Sequence, residues 1–219
     1  MFARLCWSEG WYIKIGFKLK TAEVILATLL FILTAIFSYI IINYVAIQNN
    51  ISFKPYFVEF STSINYLHTL SQTLNEELIL GALLLFSLRS LLKKMPIIAL
   101  SFVVALLFPV LHILFYSYFI TSFNRGVLNI ITTFPLLLVG IARNNFILCS
   151  NHIGYSWAIH LGWNSVFFGG RYVKAGGQLI NEPELFNIFL GSQLVLVFSF
   201  IIVLITMYIY KRKIFKSRH

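Results

Sequence analysis

Long runs of apolar residues are the feature of this sequence that most constrains its fold. A helix needs about 20 mainly apolar residues to cross a hydrocarbon core that is ~30 Å thick. Water cannot satisfy backbone polar groups at that depth, so such runs favour helices, which satisfy these groups internally. We predict about six membrane-spanning helices, over residues 22–47, 74–92, 95–120, 127–149, 152–168 and 185–210.

The composition excludes an ordinary soluble domain. Hydrophobic residues make up 59% of the 219 residues and charged residues 11%, whereas soluble domains are roughly 45–50% apolar and about 25% charged. The predicted fold class is therefore an all-α, polytopic transmembrane helical bundle. We divide it into an interfacial segment at residues 1–21, a single transmembrane domain at 22–210, and a basic cytoplasmic tail at 211–219.

The net charge of +10 comes from chain ends and connections between apolar runs. Nucleic acid is not an expected partner, because no compact basic domain is left to grip a phosphate backbone. With six spans, thirteen Lys and Arg residues fall on one side of the membrane, Arg143 among them, and four fall on the other. Cytoplasmic loops carry the excess of Lys and Arg, which predicts a multi-pass protein of the cell membrane with both termini in the cytoplasm.

Two adjacent carboxylates, Glu76 and Glu77, lie near the start of the predicted second span. Neighbouring residues on an α-helix point about 100° apart, so we expect one carboxylate to face the bundle while the other supports it or meets water. Ionisable groups within spans usually face a bundle interior or a cavity. The alternative is that the helix dipole favours acidic residues near this terminus.

Two histidines also lie inside predicted spans. His112 follows Phe108 by four residues, and His160 precedes Asn164 by four, so each pair shares one helix face. Gly162 lies between His160 and Asn164 and permits close approach of another backbone. The alternatives are a structural His112 and an interhelical hydrogen bond that only joins helices.

These polar groups are expected to meet in the outer half of the membrane, judged from a rise of 1.5 Å per residue along each helix. A carboxylate, two imidazoles and an amide suit hydrolysis of an acyl bond. The carboxylate takes a proton from water, and an amide donates to a developing oxyanion. The histidines either hold a metal that activates the water or donate to the oxyanion.

Three motifs in this order resemble those of the CPBP family, which contains the CAAX proteases and bacteriocin-processing enzymes and is also called the Abi family of intramembrane proteases. The first family motif is a Glu-Glu pair followed three residues later by arginine, and here it reads NEELILG, with Glu76 and Glu77. The second, Phe-x-x-x-His, is matched by FPVLH, which ends at His112. The third, His-x-x-x-Asn, is matched by HLGWN, from His160 to Asn164.

The resemblance covers roughly residues 70–170 and implies a four-helix catalytic core made of the second to fifth spans. It implies hydrolysis of a peptide bond in a membrane-associated protein or peptide. Glu76 would activate the water with His112, Glu77 would support the site, and His160 with Asn164 would stabilise the oxyanion. Members are often named metalloproteases, so the resemblance also implies a possible divalent metal such as zinc, held by Glu76, His112 and His160.

The chain departs from the first motif at Gly81, where the family has arginine. That arginine would brace the carboxylates, and Arg89 is expected to lie too far away to replace it. The departure motivates an alternative function, a catalytically silent family member that acts as a membrane scaffold or bacteriocin-immunity protein. A small transporter with a Glu and His proton relay is a further alternative, although the sequence lacks an internal repeat.

Overall fold

The computed structural model describes residues 19–55, 61–114 and 128–216. The chain is mostly helical in these ranges, as predicted. The elements in chain order are α1 (Thr21–Gln48), β1 (Ile51–Pro55), α2 (Ser61–Glu76), a π-helical segment (Glu77–Leu84), α3 (Leu85–Leu91), α4 (Ile97–Leu114), α5 (Ile130–Ser150), α6 (Gly154–Phe167), β2 (Gly170–Lys174), α7 (Glu182–Phe189) and α8 (Gln193–Lys216).

Four of these helices are long and apolar enough to cross a membrane, namely Thr21–Gln48, Ile97–Leu114, Ile130–Ser150 and Gln193–Arg212. They correspond to the first, third, fourth and sixth predicted spans. The predicted second span falls within the composite helix α2–π–α3, and the predicted fifth span matches α6, which at 14 residues covers only ~21 Å at 1.5 Å per residue. The predicted interfacial segment lies almost wholly in residues 1–18, outside the described ranges, as do residues 115–120 of the third span.

The carboxylate pair is not at the start of a helix. The predicted spans at 22–47 and 74–92 leave residues 48–73 between them as a connection, but α2 already begins at Ser61, and the helical path continues without a break to Leu91. Glu76 is therefore near the middle of this path, where α2 passes into the π-helical segment. A helix dipole acts only within the terminal turn, so it does not account for carboxylates at this position.

A small antiparallel sheet modifies the predicted all-α fold. Strands β1 and β2 pair in a register that places Ile51 opposite Lys174 and Pro55 opposite Gly170. The hydroxyl of Tyr172 donates to the carbonyl of Phe167 at 2.8 Å, and burial raises the pKa of this phenol. The sheet therefore ties the ends of α1 and α6 together at one end of the bundle.

The predicted sixth span, residues 185–210, is two helices rather than one. The Asn181 side chain accepts a hydrogen bond from the backbone of Glu184 and caps α7, with Pro183 in the first turn. The α7 helix ends before Gly191, and α8 then starts at Gln193. A Cβ at position 191 would lie 2.3 Å from the backbone oxygen of Asn187, so a larger residue would not fit this sharp break.

Contacts at the helix ends define two opposite ends of the bundle. Glu23 of α1 lies 3.8 Å from His152, just before α6, and Tyr210 of α8 interacts with Arg89 and Cys149. Among the described residues, this basic end carries Lys20, Arg89, Lys93, Lys94, Lys211 and Arg212, and the sheet end carries Lys54, Arg171 and Lys174.

Arg143 belongs to neither end. It was counted among the cytoplasmic cations, near the end of the predicted fourth span, but it lies within α5 with only 5% of its surface exposed. The predicted excess of cations on one side therefore loses one member. A buried arginine carries no orientation signal, because the charge bias that sets topology is read in loops.

Close helix crossings hold the central elements in place. The backbone of α6 at Gly162 approaches α1 so closely that a Cβ would lie 2.7 Å from the Phe31 carbonyl oxygen. This bears out the expected close approach at Gly162. At the α4–α5 crossing, a Cβ on Gly140 would lie 3.1 Å from the carbonyl oxygen of Ala105. Small residues at such crossings allow backbones to pack tightly in a membrane.

Candidate functional site

A cavity of about 1000 Å³ lies between the helices and is lined mostly by apolar side chains. The polar lining includes all five residues that the sequence singled out as catalytic candidates, and it adds Arg143 and Ser156. The predicted meeting of the three polar groups is therefore found in the structure. The five predicted residues in the lining are Glu76, Glu77, His112, His160 and Asn164.

Glu77 is the most deeply buried charged group of the cavity, with 1% of its side chain exposed. Its Oε1 lies 3.1 Å from Nδ1 of His160, and its Oε2 accepts a hydrogen bond of 2.7 Å from the hydroxyl of Ser156. A carboxylate only accepts, so Nδ1 of His160 carries the hydrogen. Glu77 thereby fixes the orientation of the imidazole, and Ser156 fixes Glu77 in turn.

Glu76 meets the other side of the same ring. Its Oε2 lies 3.7 Å from Nε2 of His160, while its Oε1 accepts a hydrogen bond of 3.2 Å from the Gln72 amide. Oε2 has no hydrogen-bond partner among the described residues. The separation from Nε2 is longer than a hydrogen bond, and catalytic contacts in ligand-free sites often shorten only when substrate binds.

The π-helical segment explains how adjacent carboxylates reach one ring. We expected Glu76 and Glu77 to point in different directions, as on an α-helix. A π-helix bonds each residue to the fifth along rather than the fourth, which puts more residues in each turn and reduces the angle between neighbours. Such segments are rare and frequent at functional sites, and the segment here starts at Glu77.

His112 lies near the C-terminal end of α4 and is held by its own helix. Nδ1 lies 2.9 Å from the carbonyl oxygen of Phe108, which can only accept, so Nδ1 carries the hydrogen. In the neutral ring, Nε2 is then free to accept. The Phe108 ring packs against His112 at 4.6 Å between centroids and lies 6.3 Å from His160. The predicted shared face of Phe108 and His112 is therefore the face that lines the cavity.

Asn164 is one turn beyond His160 on α6. Its amide lines the cavity, and among the described residues no hydrogen bond involves this side chain. The expected alternative, interhelical hydrogen bonding by His160 and Asn164, is found for His160, which meets Glu77 of the composite helix, but not for Asn164 in the described ranges. An amide next to a cavity with donors to spare is suited to stabilise negative charge on a bound group.

Arg143 is the residue that the sequence analysis missed. Its guanidinium lines the same cavity as Glu77 and Glu76 and is near enough for a through-space attraction, without a direct ion pair to either among the described residues. Its Cζ lies 4.8 Å above the Phe108 ring. Its Nε is 3.4 Å from the Asn144 side-chain oxygen. The polar triplet Arg143-Asn144-Asn145 inside an apolar run was the available signal, since intramembrane cations usually pair with other charges inside the bundle.

The described residues do not fit a metal centre. No group of three or more His, Cys, Asp or Glu side chains in the described ranges is arranged to hold a metal ion. Nδ1 of His160 is directed at Glu77, and Nδ1 of His112 at a backbone carbonyl. The proposed ligands Glu76, His112 and His160 share the cavity, but the geometry supports no reaction step through a metal.

The geometry brings the predicted residues together, adds a buried cation that the sequence analysis had counted among the cytoplasmic cations, and leaves Glu76, His112 and Asn164 with capacity for a bound group. Comparison of the chain with protein-family models, with characterised proteins and with solved structures gave no match. The motifs and the geometry of this cavity are therefore the evidence for function.

Proposed function

We propose that this chain is an intramembrane endopeptidase similar to the CPBP family, which hydrolyses a peptide bond in a membrane-associated protein or peptide. One observation carries the proposal. Glu76 and Glu77 contact opposite nitrogens of His160 beside a largely apolar cavity. This arrangement joins a proton acceptor, an oriented imidazole and space for an apolar substrate.

Glu76 is the general base in this mechanism. Its Oε2 has no hydrogen-bond partner among the described residues and takes a proton from water. The hydroxide oxygen then bonds to the carbonyl carbon of the peptide, and the carbonyl electrons move onto oxygen. When the C–N bond breaks, the carboxyl group of Glu76 returns the proton to the leaving nitrogen. General acid–base catalysis of this kind contributes typically 10²–10⁴-fold.

His160 and Asn164 stabilise the oxyanion. His160 acts in its doubly protonated form, which the carboxylates on both sides of the ring stabilise. Its Nδ1 donates to Glu77, and the hydrogen on Nε2, on the side away from Glu77, is donated to the developing negative charge. Asn164 adds a neutral amide donor from the next turn of α6. His112 faces the same cavity and positions the water with the accepting lone pair of its Nε2. Preorganised donors act strongly because the site excludes bulk water.

The apolar lining indicates the kind of substrate. The outer helices α1 and α8 contribute to the wall, through residues such as Phe37 and Phe198, whose rings stack at 4.0 Å. The outward surfaces of both helices expose large hydrophobic side chains, which suit lipid. Together with the cations at the basic end, this favours a cell-membrane protein with both termini in the cytoplasm and a substrate that enters from the bilayer.

The test compares peptide termini in membranes from cells that express the wild type or Glu76→Gln at equal levels. Glu184→Gln is the matched control, since Glu184 is outside the cavity lining and pairs with Lys174. We expect new termini with the wild type and with Glu184→Gln but not with Glu76→Gln. Identical termini in all three membranes would contradict the protease and favour the silent scaffold or immunity protein that Gly81 first suggested.

A further inference from the structure

Arg143 is a buried cation whose surroundings leave it incompletely satisfied. Its Nη1 and Nη2 atoms are buried without hydrogen-bond partners among the described residues. A buried charge is costly unless it is compensated by another. Arg143 lines the same cavity as Glu76 and Glu77, and its Cδ and the Oε2 of Glu77 both border the space beside Gly81. The opposite charges attract through space without a direct ion pair among the described residues, and both carboxylates are in the proposed catalytic site.

We propose that Arg143 is a positioning residue that compensates the Glu76 and Glu77 charges from α5, in place of the arginine that the motif would have at position 81. The proposal deepens the proposed function and rests on it for its catalytic consequence. The charge compensation itself is a property of the folded site. It is therefore measurable whether or not the chain cleaves a peptide.

The space around Gly81 supports this exchange of positions. A Cβ on Gly81 would lie 2.8 Å from Cδ1 of Ile147, 3.3 Å from Oε2 of Glu77 and 3.9 Å from Cδ of Arg143. Ile147 therefore fills the space closest to the glycine, and the side chain of Arg143 passes at van der Waals distance beside it. The arginine on the Glu77 side of this space comes from α5 rather than from the π-helical segment.

Neighbouring residues hold the guanidinium in that space. The Phe108 ring packs on one side of it at 4.8 Å, in the range of a cation–π contact. Asn144, whose side-chain oxygen lies 3.4 Å from Nε of Arg143, donates at 2.8 Å to the Ser101 carbonyl of α4. The cation is thus anchored to α4 and α5 together, while the carboxylates come from the composite helix.

Charge balance gives Arg143 its role. Two carboxylates in a low-dielectric cavity repel each other, and a cation beside them lowers the cost of keeping both charged. A protonated Glu76 cannot accept a proton from water. The titratable and charged groups that face this region are Glu76 and Glu77 from the composite helix, His112 from α4, Arg143 from α5 and His160 from α6, with His68 and Glu182 elsewhere in the cavity lining.

The first measurement uses a hydrophobic carbodiimide, dicyclohexylcarbodiimide, on the full chain in membranes at neutral pH. The reagent adds to protonated carboxyl groups in apolar surroundings and leaves a stable N-acylurea that mass spectrometry locates. We expect weak labelling of Glu76 and Glu77 in the wild type and in Arg143→Lys, and at least tenfold stronger labelling in Arg143→Ala. Arg171→Ala, an exposed change in β2, is the matched control and should label like the wild type.

A double variant, called the exchange variant, distinguishes loss of the arginine charge from a folding defect in Arg143→Ala. Gly81→Arg combined with Arg143→Ala returns a cation to the carboxylates from the neighbouring position. We expect its labelling to fall back towards the wild-type level. Equal labelling in the wild type, Arg143→Ala and the exchange variant would overturn the proposal, as would labelling of wild-type Glu76 and Glu77 at the Arg143→Ala level.

Cleavage is measured on the same variants, as a second and separate readout. We expect Arg143→Ala to lose at least a hundredfold in cleavage rate and Arg143→Lys to lose much less. If labelling follows the expectation but the wild type cleaves nothing, the proposed function fails and the charge compensation stands. If the wild type cleaves and Arg143→Ala cleaves equally well, Arg143 has no positioning role.

Discussion

Two histidine–glutamate pairs lie close together in this molecule and have different surroundings. His152 just before α6 meets Glu23 of α1 at 3.8 Å, and His160 within α6 meets Glu77 at 3.1 Å. Both histidines contact a carboxylate from another helix, so the residue types alone do not separate them. The difference between the pairs shows what a functional interpretation needs beyond a buried ion pair.

The His152 pair joins helices at the basic end. Nδ1 of His152 accepts a hydrogen bond of 3.0 Å from the backbone of Gly154, and the ring packs edge-on against Tyr155. Neither His152 nor Glu23 lines the cavity. The pair has the features of a structural contact that fixes the turn before α6.

The His160 pair differs in three respects. It opens onto a cavity of about 1000 Å³, a second carboxylate faces the other side of the ring, and a buried arginine lines the same cavity as both carboxylates. These features let a proton and a substrate meet at one imidazole. A buried His–Glu contact alone does not mark a candidate catalytic site. The adjoining cavity and the compensating charge of the nearby arginine distinguish the His160 pair from the His152 pair.

The largest expected difference between the pairs is in cleavage after the matched changes His160→Gln and His152→Gln. His160→Gln removes the oxyanion donor that Glu77 orients and also leaves Glu77 without its imidazole partner, so we expect cleavage to fall by about 10³-fold, the upper end of the range for one oxyanion donor. His152→Gln should leave the rate of cleavage per folded molecule close to that of the wild type. Rates are measured on purified protein in lipid vesicles and divided by the folded fraction. A comparable loss of cleavage in both variants would show that the two pairs do not differ in their contribution to the reaction.

A smaller effect is expected from Asn164→Ala. Removal of one oxyanion donor costs typically about 10²–10³-fold in kcat, and a donor that acts in the transition state should leave KM almost unchanged. The control is Asn49→Ala at the end of α1, whose amide donates only to its own helix at Val45. An Asn164→Ala enzyme with wild-type kcat would show that the amide serves packing instead.

The smallest effect is expected from Glu23→Gln. The Glu23 side chain is 31% exposed, and partly exposed ion pairs contribute roughly 0–1 kcal/mol. We expect a slightly lower thermal unfolding temperature and no change in cleavage rate per folded molecule. A loss of cleavage without a loss of stability would show that the basic end takes part in the reaction. The His152 and His160 pairs would then not differ in function as described.

The site was largely predictable because a membrane restricts where polar groups go. Glu76, His112 and His160 interrupt apolar runs, and the cost of charge in lipid directs such residues into the bundle. Arg143 was missed for a related reason. Arg143, with Asn144 and Asn145, lies close to the C-terminal end of a span, and a polar triplet there has the composition of a loop.

Other features had weaker sequence signals. The amphipathic start of α2 lacks the apolar content of a span, so residues 61–73 were predicted as loop although they are helical. The π-helical segment, which contains Gly81, has no composition that marks it. Strand β2 is short and begins at the second of two glycines, and its pairing with β1 depends on contacts distant in sequence.

The central claim is that Glu76 activates water at the cavity beside His160. The most direct measurement uses purified wild type and Glu76→Gln, each in lipid vesicles, with a peptide that contains the bond identified from the membrane termini. If Glu76 activates the water, the wild type cleaves that bond. Glu76→Gln then cleaves it at least a hundredfold more slowly, although both proteins are equally folded. Equal cleavage by the two proteins, or no cleavage by the wild type, would contradict the role of Glu76 in activating water.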